Sequence, residues 1–344
     1  MIVNSNKSIM NKKDYNLGIQ ILRVILSFMV VMDHFYNRNK LKKITYYLYY
    51  HIPTFFLISF FFSYNLLLSF NVQKIKLRIE RLAIPYIVWS FIGFLLRNIY
   101  FYAFNKKSDH DFKTLVKHFI TGHILNIVLW YLVILMLTTF VFIIIIFLFK
   151  NKYLSIFYIL TIIAYISQYS GFNFYIHRKY LDHHAYLTFG RFAEAFPNAV
   201  TGFTLASFKI IEKLKKYRLK SIFYSLIILI MISKYCVFSD IKTFKYGNIR
   251  LNIAACCIFI FFSLLHVKNL EKKKLLNFIR QITSYTGGIY YMHYLVGNSL
   301  TFQRIFKSLK GTILLCIIIY VSCYNICHFS LKIFGKTKFK YIFI

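Results

Sequence analysis

Long apolar runs separated by short cationic segments set the plan of this chain. About ten of them approach the twenty or so residues that a helix needs to cross a hydrocarbon core. They fall near 15–36, 44–70, 83–104, 124–149, 153–170, 188–208, 220–239, 249–267, 283–306 and 311–334. The run Phe140–Phe149 holds no polar residue at all. The pattern predicts an all-α, polytopic membrane protein of about ten transmembrane helices. The sixth and ninth runs are the least hydrophobic. They carry Arg191, Glu194, Pro197 and His293, so they are expected to face protein or water rather than lipid.

Within the first run, Arg23 and His34 interrupt the apolar pattern. Charge is costly in lipid, and ionisable residues inside a span mark function by default. Eleven residues separate the two. On a helix that spacing leaves them about 20° apart in azimuth and roughly 16 Å apart along the axis. They share one stripe and are placed to line one cavity.

Composition agrees with a membrane body. The 344 residues are 58% hydrophobic with a mean hydropathy of +0.57. The net charge is +34, from 44 Lys and Arg against 10 Asp and Glu. Such a balance often means nucleic acid. Here the cations sit mostly in short loops between spans, so membrane topology is the better account, and no nucleic-acid partner is expected. Part of the charge belongs to a general bias toward Lys, Ile, Asn, Phe and Tyr. The larger share of loop cations falls on one side when the N-terminus is cytoplasmic, which predicts both termini inside. The polar start to Asp14 precedes a span too long for a cleavable signal peptide. The chain ends soon after the last span, so activity is expected within the membrane body. Cys236, Cys256, Cys257, Cys316, Cys323 and Cys327 form no metal or redox spacing, and no metal site is expected. Cys316, Cys323 and Cys327 share a helix face and read as packing residues.

Further candidates follow from depth and spacing. With the N-terminus inside, His34 lies near the outer end of span one, and His51 in the outer half of span two, roughly 10 Å deep. Asp33 and Glu194 are the acids well inside spans. Glu194 follows Arg191 by three residues, which fits an intrahelical ion pair. Asp33 points to a different face from His34, where it is placed to answer Arg191 or Arg23. Arg78 and Arg81, in the first inner loop, are three apart and would project together on a helical turn. Paired guanidiniums suit bidentate binding of phosphate, although positive-inside charge accounts for them about as well. Pro85 suits the first turn of the third span. In Ser284-Tyr-Thr-Gly-Gly-Ile-Tyr-Tyr-Met-His293 the glycines permit close approach and His293 lies near mid-membrane. There is no Gly-x-Ser-x-Gly elbow, His-Glu-x-x-His, Walker loop or dinucleotide fingerprint. Hydrolase, zinc protease and ATP-driven pump are thereby disfavoured.

These residues, in order, resemble the acyltransferase-3 family of integral membrane acyltransferases. Arg23 and His34 resemble its Arg-x10-His signature. His51-Ile-Pro53-Thr-Phe55-Phe56-Leu-Ile-Ser59 is similar to its second-span motif, with Phe60 where the family usually has Gly. Arg78-x-x-Arg81-Leu-x-x-Pro85-Tyr resembles its inner-loop motif. Leu129-Trp130-Tyr131-Leu132 and Gly288-Ile-Tyr-Tyr-Met-His293 resemble its fourth-span and late-span motifs.

The resemblance implies one acyltransferase-3-like membrane domain over 15–334, with short cytoplasmic tails at 1–14 and 335–344. It implies a multi-pass protein of the cell membrane that moves an acyl group, often acetyl from acetyl-CoA, to a hydroxyl of a cell-surface glycan. The acyl-CoA is a donor substrate, and no bound cofactor is implied. Arg78 and Arg81 would hold the donor phosphates, and Arg23 and His34 would lie by the thioester. His34 would serve as general base or as transient nucleophile, and Arg23 would stabilise developing negative charge. His51, Asp33, Glu194, Arg191 and His293 are expected in support. A transporter or flippase for a glycan or lipid intermediate is the rival reading, since buried ionisable residues fit it too.

Overall fold

The computed structural model describes residues 17–35, 50–103, 119, 129–169, 183–238, 248–265, 273–299, 309–335, 337, 340, 341 and 343. Among these residues every regular element is helical. The helices are α1 (Leu17–Phe35), α2 (His51–Leu68), α3 (Val72–Ala103), α4 (Trp130–Phe149), α5 (Tyr153–Tyr169), α6 (His183–Ser207), α7 (Ile210–Lys215), α8 (Arg218–Phe238), α9 (Asn248–Leu264), α10 (Lys273–Ser299) and α11 (Leu309–Phe334). Residues 1–14, half of the tail 335–344, and the expected outer loops around Arg38, Lys106, Arg178 and Lys242 lie outside the described residues.

Four stretches among the described residues are long and apolar enough to cross a membrane: Leu17–Phe35, His51–Leu68, Trp130–Ile166 and Ile313–Phe334. The third covers both α4 and α5, joined by a single 3-10 turn at Lys150–Lys152. The apolar helix Ile249–Leu264 is shorter. α3, α6 and α10 are as long as any span, at 32, 25 and 27 residues, but carry charge within them. Large apolar side chains face outward on α4 and α5 (Phe147, Ile162, Ile166) and on α11 (Ile317, Val321, Phe329). An exposed apolar face of this kind is what lipid covers.

The third expected span begins earlier than its hydropathy suggests. α3 starts at Val72 rather than 83, because Asn71 Oδ1 accepts the Lys74 N–H at 3.0 Å and caps it. The segment read as an inner loop is therefore helix, and Pro85 lies in the helix interior rather than its first turn. The turn from α2 to α3 is tight, with Phe70 in the left-handed region at φ 45°. α10 likewise begins at Lys273, well before 283.

α1 and α10 run parallel and in register. Thr283 Oγ1 donates to the Gln20 carbonyl at 3.4 Å, and Arg23 Nη2 donates to Thr286 Oγ1 at 3.2 Å. Further along, the rings of His34 and His293 are 5.0 Å apart, and the Phe35 ring fills the space a side chain at Gly297 would need. Residue numbers rise together on both helices. Two such helices enter the bundle from the same side.

Other interfaces are polar where a membrane bundle needs directional contacts. Asn252 Nδ2 on α9 donates to Asn198 Oδ1 at 2.9 Å and to Thr201 Oγ1 at 3.0 Å on α6. Asn198 Nδ2 and Thr201 Oγ1 donate in turn to the carbonyls of Glu194 and Pro197 within α6. Interhelical amide and hydroxyl pairs of this kind hold helices together where hydrophobic burial cannot. On α11, Cys316, Cys323 and Cys327 are all fully buried and pack against α1 and α10.

α6 packs so closely on α2 that a side-chain carbon at Gly202 would collide with the Leu57 backbone carbonyl. Backbone cannot step aside as a side-chain tip can. Gly202→Ala is therefore expected to destabilise the detergent-solubilised protein by about 1–3 kcal/mol, read as a lower thermal midpoint. An unchanged midpoint would mean the α2–α6 contact is looser than this.

Candidate active site

The site is built around the shared face of α1 and α10. His34 stands in the last turn of α1 and is half-buried. His293, two turns beyond Thr286 on α10, is completely buried. Their rings are tilted by 39° with centroids 5.0 Å apart, and Tyr294 meets His34 edge-on at 6.0 Å. His293 Nδ1 lies 3.2 Å from the Ile289 carbonyl, four residues back on the same helix. A carbonyl only accepts, so this nitrogen carries the proton. A second proton would place a full charge in a buried site, so the neutral tautomer leaves Nε2 as a bare acceptor. That Nε2 is buried and has no hydrogen-bond partner among the described residues.

Aromatic rings continue the wall. Tyr290 lies 6.1 Å from His293 and 5.4 Å from Tyr131, and Tyr131 lies 4.6 Å from Phe56 of α2. Tyr131 is within electrostatic reach of both Arg78 and Arg23, and Tyr291 of Arg23. His51 is buried at the start of α2 and within reach of His293. α2 thus adds a third imidazole to the end of the bundle that holds His34.

Two further guanidiniums reach inward. Arg78 Nη2 donates to Ser59 Oγ at 3.1 Å and its Nε to Thr139 Oγ1 at 3.4 Å, with its charge 5.4 Å from the centre of the Phe60 ring. Phe60 is fully buried in this packing. Arg191 lies over Trp130, 4.2 Å from the ring centre, a cation–π contact. Its charge also reaches Tyr290 and Glu194.

Some expected groupings are not formed. Arg78 and Arg81 do not project together: Arg78 turns into the bundle, whereas Arg81 is exposed and sits 5.5 Å from the Tyr341 ring of the C-terminal tail. The reason is the uninterrupted α3, on which the two positions lie either side of the boundary between bundle and surface. Asp33 does not answer an arginine. It is buried two turns beyond Leu26, on the side of α1 that packs against α2 and α9, and its Oδ1 meets no partner among the described residues. Arg23 is turned to Thr286 and Arg191 to Trp130.

The arrangement thus gathers a half-buried imidazole, an inward-turned guanidinium and a set of aromatic side chains within one helical body. The family model described as an acyltransferase domain, acyltransferase-3, matches residues 16–327. This chain belongs to the acyltransferase-3 family. No curated protein and no solved structure matches it. The protein is a membrane acyltransferase.

In this acyltransferase the residues least visible beforehand are the tyrosines and hydroxyls. Tyr290, Tyr291 and Thr286 bring α10 to the arginines, and Thr139 holds Arg78. Trp130 and Tyr131 stood in a recognised motif without an assigned role. A usable signal was the polar tip of each tyrosine in an apolar span, which needs a partner when buried.

Proposed function

We propose that the protein is an O-acyltransferase that moves acetyl, or another acyl group, from acyl-CoA to a hydroxyl of a cell-surface glycan. The observation that carries this reading is the α1–α10 pair: Arg23 and His34 both meet one helix, and His34 is a half-buried imidazole beside a buried, aromatic wall. Arg78, anchored by Ser59 and Thr139, and Arg81 on the same helix supply cations for the donor phosphates. Arg23 offers positive charge for the oxyanion of the tetrahedral intermediate. His34 takes the hydroxyl proton as the acceptor oxygen attacks the thioester carbon. The carbon–sulfur bond then breaks and His34 returns the proton to the departing thiolate. His51, Asp33, Arg191 and Glu194 support the site from α1, α2 and α6. With both termini cytoplasmic in the cell membrane, the donor enters at the Arg78 side and the acceptor at the His34 side.

Purified protein in detergent, given radiolabelled acetyl-CoA and extracted surface glycan, is expected to release free CoA and label the glycan. Movement of unmodified glycan across vesicles without CoA release would favour a transporter instead.

A further inference from the structure

The segment that follows α11 doubles back on the bundle. Thr337 N–H donates to the Phe334 carbonyl at 2.9 Å, Lys340 N–H to that of Thr337 at 3.2 Å, and Phe343 N–H to that of Lys340 at 3.1 Å, three successive tight turns. They carry Phe343 back between α3 and α10. Its ring stands edge-on to Trp89 of α3 at 6.4 Å and stacks on Phe334 at 6.2 Å. Its carbonyl lies where a side-chain carbon at Gly288 of α10 would go. Two residues before Gly288 is Thr286, the partner of Arg23. Nearer the start of α3, the centre of the Tyr341 ring has the Arg81 charge at 5.5 Å and the Lys340 ammonium at 5.3 Å. Arg81 is exposed, and Lys340, Tyr341 and Phe343 are half-buried, so a ligand from outside the bundle meets this segment first.

We infer that this segment is a strap across the donor path, and that acyl-CoA displaces it on binding. A donor with its phosphates at Arg81 and its thioester at Arg23 runs from α3 to the Thr286 turn of α10. Tyr341 and Phe343 bridge the same two helices at the same places. The exchange favours the donor. A ring offers each cation only its quadrupole, whereas a phosphate offers full charge and acceptor oxygens. Arg81 and Lys340 turn from Tyr341 to the phosphates, and Phe343 leaves Trp89 and Gly288. Until then the strap holds down the affinity for the donor. The inference deepens the donor role given to Arg81 and rests on it.

The probe is free CoA, titrated by calorimetry into the full-length protein in detergent. Tyr341→Ala removes the ring that competes for Arg81 and is expected to tighten CoA binding about twofold to fivefold. In an Arg81→Ala background the same substitution is expected to change nothing. Tightening that disappears in that background supports the strap, and tightening that persists there overturns it. Unchanged or weaker binding in Tyr341→Ala also overturns it, while weaker binding in Arg81→Ala alone leaves the donor role of Arg81 intact. Binding of no CoA by wild type overturns both. A second measurement follows the displacement itself. The chain has two tryptophans, Trp89 and Trp130, so the difference between wild type and Trp89→Phe gives the emission of Trp89. Adding CoA is expected to shift that emission in wild type and to leave it in place in Phe343→Ala. An emission that CoA does not move in wild type, or moves equally in Phe343→Ala, overturns the strap.

Discussion

His34→Ala is expected to lower acyl transfer by about a hundredfold to ten-thousandfold while the protein remains folded in the membrane. The two halves of that result have separate causes. Rate falls because His34 is the half-buried imidazole that an acceptor hydroxyl reaches, and its neighbour His293 is fully buried with one nitrogen bound to the Ile289 carbonyl. Folding survives because α1 is held by Leu22, Leu26, Val30 and Val31, all buried, and by Phe35 against Gly297, none of which the substitution removes. The measurement is CoA release by purified variant and wild type at matched concentration, with thermal midpoints recorded alongside. Incubation with labelled acetyl-CoA and no acceptor separates base from nucleophile: no label is expected to stay on the protein. Full activity in His34→Ala would remove the histidine from the chemistry altogether.

The stripe that holds Arg23 and His34 was legible in the sequence because helical geometry is local: eleven residues fix azimuth and height with no knowledge of the fold. Its partners were not. Arg23 meets Thr286 across 263 residues of chain, a separation that no periodicity bridges. His293 stood out as an ionisable residue in a span, but its contact with His34 needed the parallel packing of α1 on α10. Tyr131, Tyr290 and Tyr291 were hidden by abundance, since a chain with 29 tyrosines makes no single one informative. Asp33 shows a different limit. Its burial could be read from position, yet that its Oδ1 meets no partner among the described residues follows from where the arginines turn. The early start of α3 was missed because cations lowered the hydropathy of a segment that a single asparagine cap still makes helical. That miss mattered for the site, because packing along an unbroken α3 commits Arg78 to Ser59 and Thr139 inside the bundle and leaves Arg81 at the surface beside Tyr341.

That commitment separates the two arginines experimentally. Arg78→Ala is expected to raise the KM for acetyl-CoA about tenfold to a hundredfold, the usual worth of a charge-assisted hydrogen bond. Arg81→Ala is expected to raise it only a few-fold, because exposed charge is screened and weakly coupled. Arg78 is pre-organised: Ser59 and Thr139 hold two of its nitrogens and Phe60 lies beneath it, so its remaining N–H groups keep one direction. Arg81 is exposed with the Tyr341 ring of the tail 5.5 Å from its charge, and a donor must compete with that contact. Arg78→Lys discriminates further. An ammonium retains the charge but cannot bind Ser59 and Thr139 and still present a planar fork. It is therefore expected to behave closer to Arg78→Ala than to wild type. Initial rates across a range of acetyl-CoA concentrations measure all three. A donor KM unchanged in Arg78→Ala would remove its phosphate role, and equal effects at both positions would mean that the donor draws Arg81 inward to act with Arg78 as a pair.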